Sequence, residues 1–312
     1  MQFVNDLDLK KQAKELGVKI WQTPGFLFII LGVITIFVMT VTYFISKNYD
    51  SPEFIIISES LVVVIILIIG NSVIRLIDQI IRLNKMKSEF VSVASHQLRT
   101  PLSAIKWETE LMLSKFKKGL NKKQLINIEN IDSLTTRMIK LVNDLLDVAR
   151  IEQGRMIFKK SPVDLYKIVY EAKEDILPLA NARNVEILLN CSKNIPKITS
   201  DAGRLKMVVD NLFNNAIKYT TNRGKIEIKL IKKNNSLVFS IKDNGVGIPE
   251  EQQGRVFDKF FRSDNIVKYQ TEGTGLGLYI SKNIIGQLGG EIWFQSVEGL
   301  GSIFSFSLPI KN

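Results

Sequence analysis

One imidazole is available to this chain. His96 is the single histidine among 312 residues, and Cys191 is the single cysteine. Clustered-histidine sites, paired-cysteine zinc sites and an internal disulfide are therefore excluded. Any imidazole chemistry has to happen at His96, whose neutral ring nitrogen would be a competent nucleophile near neutral pH. It stands in the run Ser95-His96-Gln97-Leu98-Arg99-Thr100-Pro101-Leu102. His96 and Thr100 are four apart, so on a helix they share a face. Pro101 lacks an N–H, the carbonyl of Gln97 loses its helical partner, and a bend is expected beside the histidine.

Four further constellations follow in order. In Asp210-Asn211-Leu212-Phe213-Asn214-Asn215-Ala216-Ile217-Lys218-Tyr219, the amides of Asn211 and Asn215 are one helical turn apart and could hold Mg²⁺ and phosphate oxygens. Asp243-Asn244-Gly245-Val246-Gly247-Ile248-Pro249 follows an apolar strand. A carboxylate there can accept a hydrogen bond from an adenine amino group, with glycines letting the backbone come close. Phe257-Asp258-Lys259-Phe260-Phe261-Arg262 precedes a polar stretch, Ser263–Gln270. Gly273-Thr274-Gly275-Leu276-Gly277-Leu278 then opens a helix whose free N–H groups suit a triphosphate. The glycine run alone is weak evidence. It lacks the preceding strand of a dinucleotide fingerprint and the Gly-Lys-Ser/Thr of a Walker loop; the four motifs in order are specific.

The elements that must carry these groups can be read from periodicity. Leu76, Leu83 and Phe90 are spaced as a short coiled-coil seam, and a helix from Ile74 to His96 would be about 33 Å long. It is expected to continue to about Phe116, with a turn at Lys117–Asn121. A second helix follows over Lys122–Glu152, its stripe running from Leu125 to Val148, and Gly154 stops it. Each helix has one apolar stripe that two helices alone cannot bury, so pairing with a second copy into a four-helix bundle is expected. Beyond Met156 the pattern becomes mixed. Strands are expected at Val185–Leu189, Lys225–Lys232, Ser236–Lys242, Gly290–Ser296 and Ser302–Leu308, and helices at Leu165–Arg183, Arg204–Tyr219 and Leu276–Leu288.

Hydrophobic residues make up 46% of the chain while the net charge is +11. Both can hold because residues 1–81 carry 6 basic and 7 acidic residues, which leaves the whole basic excess further on. Phe26–Ile45 is an uncharged run long enough to cross a bilayer. Phe54–Ile74 is a second, with Glu59 near its start; Glu59 lies either at the outer interface or in a polar contact within a helix bundle. Lys10, Lys11, Lys14 and Lys19 flank one side, and Arg75, Arg82, Lys85 and Lys87 the other. The positive-inside rule places both ends in the cytoplasm and the short loop 46–53 outside. The loop is too short for an external ligand-binding domain, and residues 1–25 could form a helix on the membrane surface. The basic excess is spread over two regions with no clustered arm, so nucleic acid is not an expected partner.

From about Ser88 to Pro309 the sequence resembles the HisKA-type sensor histidine kinases. SHQLRTPL resembles their H box, DNLFNNAIKY the N box, DNGVGI and GTGLGL the two glycine boxes, and DKFFR the F box. The resemblance implies a multidomain chain. Ahead of the matching region, the apolar runs and flanking charges make residues 1–25 a cytoplasmic segment and 26–77 a transmembrane hairpin. Residues 78–154 would be a signalling helix and the α-helical hairpin of a dimeric four-helix bundle. Residues 155–312 would be an α/β-sandwich ATP-binding domain of the GHKL (Bergerat) type. It implies ATP with Mg²⁺ as cofactors, transfer of the γ-phosphoryl group to His96, and onward transfer to an aspartate of a response-regulator receiver domain. The setting would be the plasma membrane of a bacterial-type cell, with the stimulus arriving within the bilayer or from a membrane partner.

Residue by residue, Asn215 would be the main Mg²⁺ ligand with Asn211 assisting. Lys218 and Tyr219 would meet phosphates or ribose, and Asp243 the adenine. Gly273, Gly275 and Gly277 would form the lid and phosphate cradle; Gly245, Gly247, Arg262, Thr274 and Leu276 complete the nucleotide set. His96, Gln97, Arg99 and Thr100 would be the catalytic group, Thr100 matching a position implicated in phosphatase activity. One departure stands out: Gln97 replaces the usual acidic residue and cannot act as a base at neutral pH. Kinase and phosphatase activities both remain open, as does a membrane scaffold with weakened kinase activity. A GHKL-type ATPase is disfavoured, because Asn211 stands where that class carries a glutamate base.

Overall fold

A computed structural model of the chain describes residues 20–46, 52–192, 195–220, 223–263 and 273–310. Most of the expected outer loop, residues 1–19 of the N-terminal segment and the polar stretch after Ser263 lie outside the described residues. The chain divides into two units, residues 1–94 with 152–154, and residues 95–151 with 155–312.

The first unit is built on α1 (Pro24–Ser46) and the first part of α2 (Pro52–Lys115). Gly25–Ile45 and Glu59–Leu83 are each long and apolar enough to cross a membrane. Their large side chains face outward; Phe37 is 68% and Ile36 67% exposed, which water would penalise and lipid would not. The hydroxyls of Thr35, Thr40 and Thr42 donate to the carbonyls of Leu31, Ile36 and Val38 at 2.8 Å each, so the polar atoms are satisfied within α1. The two helices approach closely at Gly70, where a Cβ would collide with the Leu31 side chain.

The second unit begins at Ser95. The α2 helix continues through Pro101 without interruption to Lys115. After a 3₁₀ turn at Lys117–Gly119, α3 returns over Lys122–Glu152. Asn121 caps α3 through a reciprocal pair with Gln124, each backbone N–H donating to the other side chain at 2.9 Å. Across the hairpin, the Lys106 ammonium sits 2.8 Å from both carboxylate oxygens of Asp132, which also accepts from Thr109 at 2.8 Å. The hydrogen bond from Lys106 holds the Asp132 carboxyl below its ordinary range. Leu134, Met138 and Leu141 of α3 remain exposed, the unburied stripe that pairing with a second copy would cover.

The chain then forms β1 (Ser161–Val163), α4 (Leu165–Ala182), β2 (Glu186–Cys191), β3 (Ile198–Ser200) and α5 (Ala202–Tyr219). These are followed by β4 (Lys225–Lys233), β5 (Ser236–Asp243), α6 (Glu250–Gln253), α7 (Gly277–Gln287), β6 (Glu291–Val297) and β7 (Gly301–Pro309). The main sheet has order β2-β4-β5-β7-β6, parallel at β2–β4 and otherwise antiparallel. Helices α4 and α7 pack on either side of α5, and all three lie against the sheet, giving a two-layer sandwich. Period-two alternation sends Ile226, Ile228 and Leu230 of β4, and Leu237, Phe239 and Ile241 of β5, into the core. Phe239 stacks between Phe306 (5.0 Å) and Phe213 (6.4 Å). Sequence periodicity located the five main strands and three long helices to within a few residues. It missed the small β1–β3 sheet.

The end of α3 belongs to this core as well. Val148 and Ile151 are buried in one cluster with Met156, Leu165 and Phe213. Beside them the Asp147 carboxylate, 8% exposed, accepts from the Arg204 guanidinium at 3.1 Å. Removing one partner of a buried ion pair leaves an uncompensated charge, a loss of roughly 3–5 kcal/mol. Asp147→Ala should therefore lower the thermal midpoint of the full chain sharply, measured by differential scanning fluorimetry in detergent. Asp147→Ala combined with Arg204→Met should recover part of the loss.

Candidate active site

Asp243 is the last residue of β5, and the alternation that buries Leu237, Phe239 and Ile241 buries it too, at 5% exposure. Its Oδ1 accepts from the backbone N–H of Gly245 (2.9 Å) and of Ser302 on β7 (3.2 Å). Burial nevertheless pushes the carboxyl up to about 6, because desolvation outweighs both hydrogen bonds. A small cavity of about 60 Å³ opens beside it, lined by Asn215, Tyr219, Asp243, Gly247, Arg262 and Ser302, with Ile248, Val256, Phe261, Leu278 and Phe304 among its apolar walls. Apolar walls for a flat ring with one buried acceptor for an amino group suit a purine.

The glycines after Asp243 permit close approach of backbone to backbone. A Cβ on Gly245 would collide with the Tyr219 carbonyl, and one on Gly247, at φ +65°, with the Val297 carbonyl. They allow the loop to lie against the end of α5 and against β6, where Val246 N–H donates to Tyr219 O at 3.1 Å. The wall this creates is the means by which Gly247 comes to line the cavity.

Asn215 and Asn211 occupy successive turns of α5 but meet different surroundings. Asn215 faces the cavity, and among the described residues its amide has no hydrogen-bond partner. Asn211 is turned onto α7, donating to Ser281 Oγ at 3.1 Å, and its Oδ1 abuts Gly277, which has no room for a side chain. The Lys218 ammonium lies 4.9 Å from the centre of the Tyr219 ring and beside Gly273. Burial raises the Tyr219 hydroxyl above its ordinary range, while the Arg262 charge opposes that rise. Gly275, at φ +70°, packs against the backbone of Phe260, itself at φ +61°, which ties the aromatic motif to the glycine loop. Leu276 caps α7 and is fully buried; the first N–H groups of α7 lie beyond it.

The glycine loop also reaches the hairpin. Thr274 Oγ1 donates to Asp144 Oδ2 at 3.1 Å and accepts from Leu276 N–H at 3.2 Å. Burial raises the Asp144 carboxyl, and this hydrogen bond works against the rise. On α2, His96, Gln97 and Thr100 are exposed, while Arg99 is half-buried and donates to Asn143 Oδ1 at 2.6 Å. In an antiparallel hairpin, that pairing sets His96 level with the turn of α3 that begins at Asp144. The sequence did not reveal Asn143, Asp144, Asp147 or Ser281. Each acts on a partner at least 44 residues away, and no local spacing announces such a contact.

A two-layer α/β sandwich with an apolar cavity beside a buried carboxylate, joined to a histidine-bearing helical hairpin, defines the catalytic core of a phosphotransfer protein. Residues 86–154 match the family described as His Kinase A (phospho-acceptor) domain, and residues 200–312 match Histidine kinase-, DNA gyrase B-, and HSP90-like ATPase. The chain belongs to the HisKA-type histidine kinases with a GHKL ATP-binding domain. It is 31% identical over 226 residues to the alginate biosynthesis sensor protein KinB of Pseudomonas aeruginosa, covering 72% of this chain and 37% of that one. It is 31% identical over 235 residues to sensor histidine kinase WalK of Bacillus subtilis (strain 168), covering 74% and 38%. Among solved structures, full-length ShkA in complex with AMPPNP superposes with a TM-score of 0.59 at 27% identity, covering 72% of this chain and 46% of that one. The chain thus spans less than two-fifths of the length of these two curated relatives.

An adenine amino group would favour the ionised form of Asp243. Nucleotide affinity should therefore rise as pH rises through about 6 and weaken as it falls below. Asp243→Asn should bind ADP more weakly and flatten that dependence, read by calorimetry at pH 5 and 7.5. The same shift has a stability consequence of opposite sense. The folded state holds the proton to higher pH than the unfolded chain, so ionisation of Asp243 disfavours folding as pH climbs from about 4 to about 6. Asp243→Asn should remove that slope.

Proposed function

We propose that this chain is a membrane sensor histidine kinase that phosphorylates itself on His96 from ATP and passes the phosphoryl group to an aspartate of a response-regulator receiver domain. The observation that carries the reading is the buried Asp243 cavity in the same unit as an exposed His96, with the glycine loop hydrogen-bonded to Asp144 at the level of that histidine. In the first step a lone pair of the His96 imidazole attacks the γ-phosphorus. The bond to the β–γ bridging oxygen breaks, ADP leaves with the electron pair, and the ring releases its extra proton to solvent. In the second, a carboxylate oxygen of the receiver attacks phosphorus, the P–N bond breaks, and the ring nitrogen is reprotonated. Such transfers depend on positioning and charge neutralisation more than on covalent help.

Asn215 offers a hard amide oxygen in the cavity, which suits Mg²⁺, and Asn211, on the preceding turn of α5 and turned onto α7, would assist. The metal would neutralise phosphate charge. Lys218, Arg262 and the N-terminus of α7 would serve the phosphates. The two apolar helices support a multi-pass membrane protein with both ends cytoplasmic, and the exposed α3 stripe supports a homodimer. The stimulus would then act within the bilayer or through a membrane partner.

Gln97 favours a second reading, a phosphatase-biased or weak kinase in which the exposed Thr100 orients a water. An ATPase reading finds no support in the carboxylate next to Asn211 in the sequence: Asp210 lies 3.3 Å from the Lys206 ammonium on the preceding turn.

Full-length protein in nanodiscs, given radiolabelled Mg-ATP, should acquire acid-labile, base-stable phosphate. His96→Ala should abolish it, and retention of the label would overturn the assignment. Inserting one to four residues after Arg75, which rotates α2 by about 100° per residue, should alter the ratio of kinase to phosphatase activity. An unchanged ratio at every insertion length would rule out transmission by a rigid helix.

A further inference from the structure

Arg99 is one turn from His96 and shares its helix face, yet its guanidinium is held by an amide rather than by a carboxylate. The bond to Asn143 Oδ1 is short, 2.6 Å, and Arg99 is half-buried between α2 and α3. Among the described residues Arg99 forms no ion pair, although two carboxylates lie one and four residues beyond Asn143. Both have other partners: Asp144 accepts from Thr274, and Asp147 from Arg204. A neutral partner has a specific electrostatic consequence. It fixes the direction of the guanidinium, which is a planar fork suited to phosphate oxygens, without cancelling its charge. A carboxylate at the same place would orient the group equally well and neutralise it.

We propose that Asn143 is a positioning residue for phosphoryl transfer. It holds Arg99 across the hairpin with its positive charge undiminished, so that the guanidinium can stabilise the charge on the phosphoryl group moving to and from His96. This rests on the kinase reading above. It assigns a role in the reaction to a residue that does not touch the phosphoryl group, and it explains why an asparagine, rather than an aspartate, precedes Asp144.

The discriminating variant is Asn143→Asp, which keeps an acceptor oxygen at nearly the same position. If Asn143 only ties the two helices together, Asn143→Asp should match the wild type in rate. If its neutrality matters, Asn143→Asp should keep the thermal midpoint of the wild type while its initial rate of His96 phosphorylation falls by roughly tenfold to a hundredfold. The KM for ATP should stay within about twofold, because the nucleotide site is untouched. Asn143→Ala should lose a similar factor in rate, and adding it to Arg99→Ala should cost little more than Arg99→Ala alone. All measurements use full-length protein in nanodiscs with Mg-ATP. A wild-type rate for Asn143→Asp overturns this inference and leaves the kinase reading standing, as does full additivity with Arg99→Ala. Absence of any label on wild-type His96 overturns both.

Discussion

The last turns of α3 serve two structures at once. Val148 and Ile151 are core residues of the α/β sandwich, yet they belong to the hairpin helix that pairs with the histidine-bearing one. The buried Asp147–Arg204 pair fixes that helix against α5, the element that carries Asn211 and Asn215. Everything the chain is proposed to do depends on this shared helix. It gives the nucleotide cavity and the phospho-acceptor helix a common frame, and it brings the glycine loop to Asp144. Apolar burial supplies the attachment, and the ion pair and the Thr274 hydroxyl supply direction.

Within that frame, electrostatics is distributed by an economy of carboxylates. Asp243 is buried without a cation, kept there by two backbone N–H groups, and its carboxyl is pushed up by desolvation. Asp147 is buried with a cation and serves attachment. Asp144 lies between, half-buried and hydrogen-bonded to the loop that would meet phosphate. The positive groups near the proposed phosphoryl path are paired differently. Arg99 bonds an amide, which orients its charge without cancelling it, and Lys218 lies 4.9 Å from the centre of the Tyr219 ring. That division is what a site handling a triphosphate requires, since its own carboxylates would otherwise compete with the substrate.

Much of this could be read from the sequence because it is governed by short-range periodicity. The alternation is strict over Lys225–Leu230 of β4 and throughout β5, and the same parity that buries Phe239 also buries Asp243. The helical stripe from Leu125 to Val148 is long enough to fix α3. The β1–β3 sheet was not legible, since each strand has three residues and one contains Pro162, which cannot donate to a ladder. The glycines were found, but their packing was not. Freedom near a ligand and freedom near another stretch of backbone leave the same mark in a sequence. Only the structure shows that Gly245 and Gly247 face the Tyr219 and Val297 carbonyls. The contacts of Asp144 and Asn143 depend on register between distant elements, which no local pattern encodes.

The central claim is that phosphorus becomes bonded to nitrogen on this chain. Phosphorus NMR of the full-length protein in nanodiscs, recorded after Mg-ATP is added and free nucleotide removed, observes that bond itself. The account predicts a phosphoramidate resonance that disappears on acidification and is absent from His96→Ala. A protein-bound phosphate ester that survives acid, or production of ADP and free phosphate with no protein-bound phosphorus at any time, would contradict it.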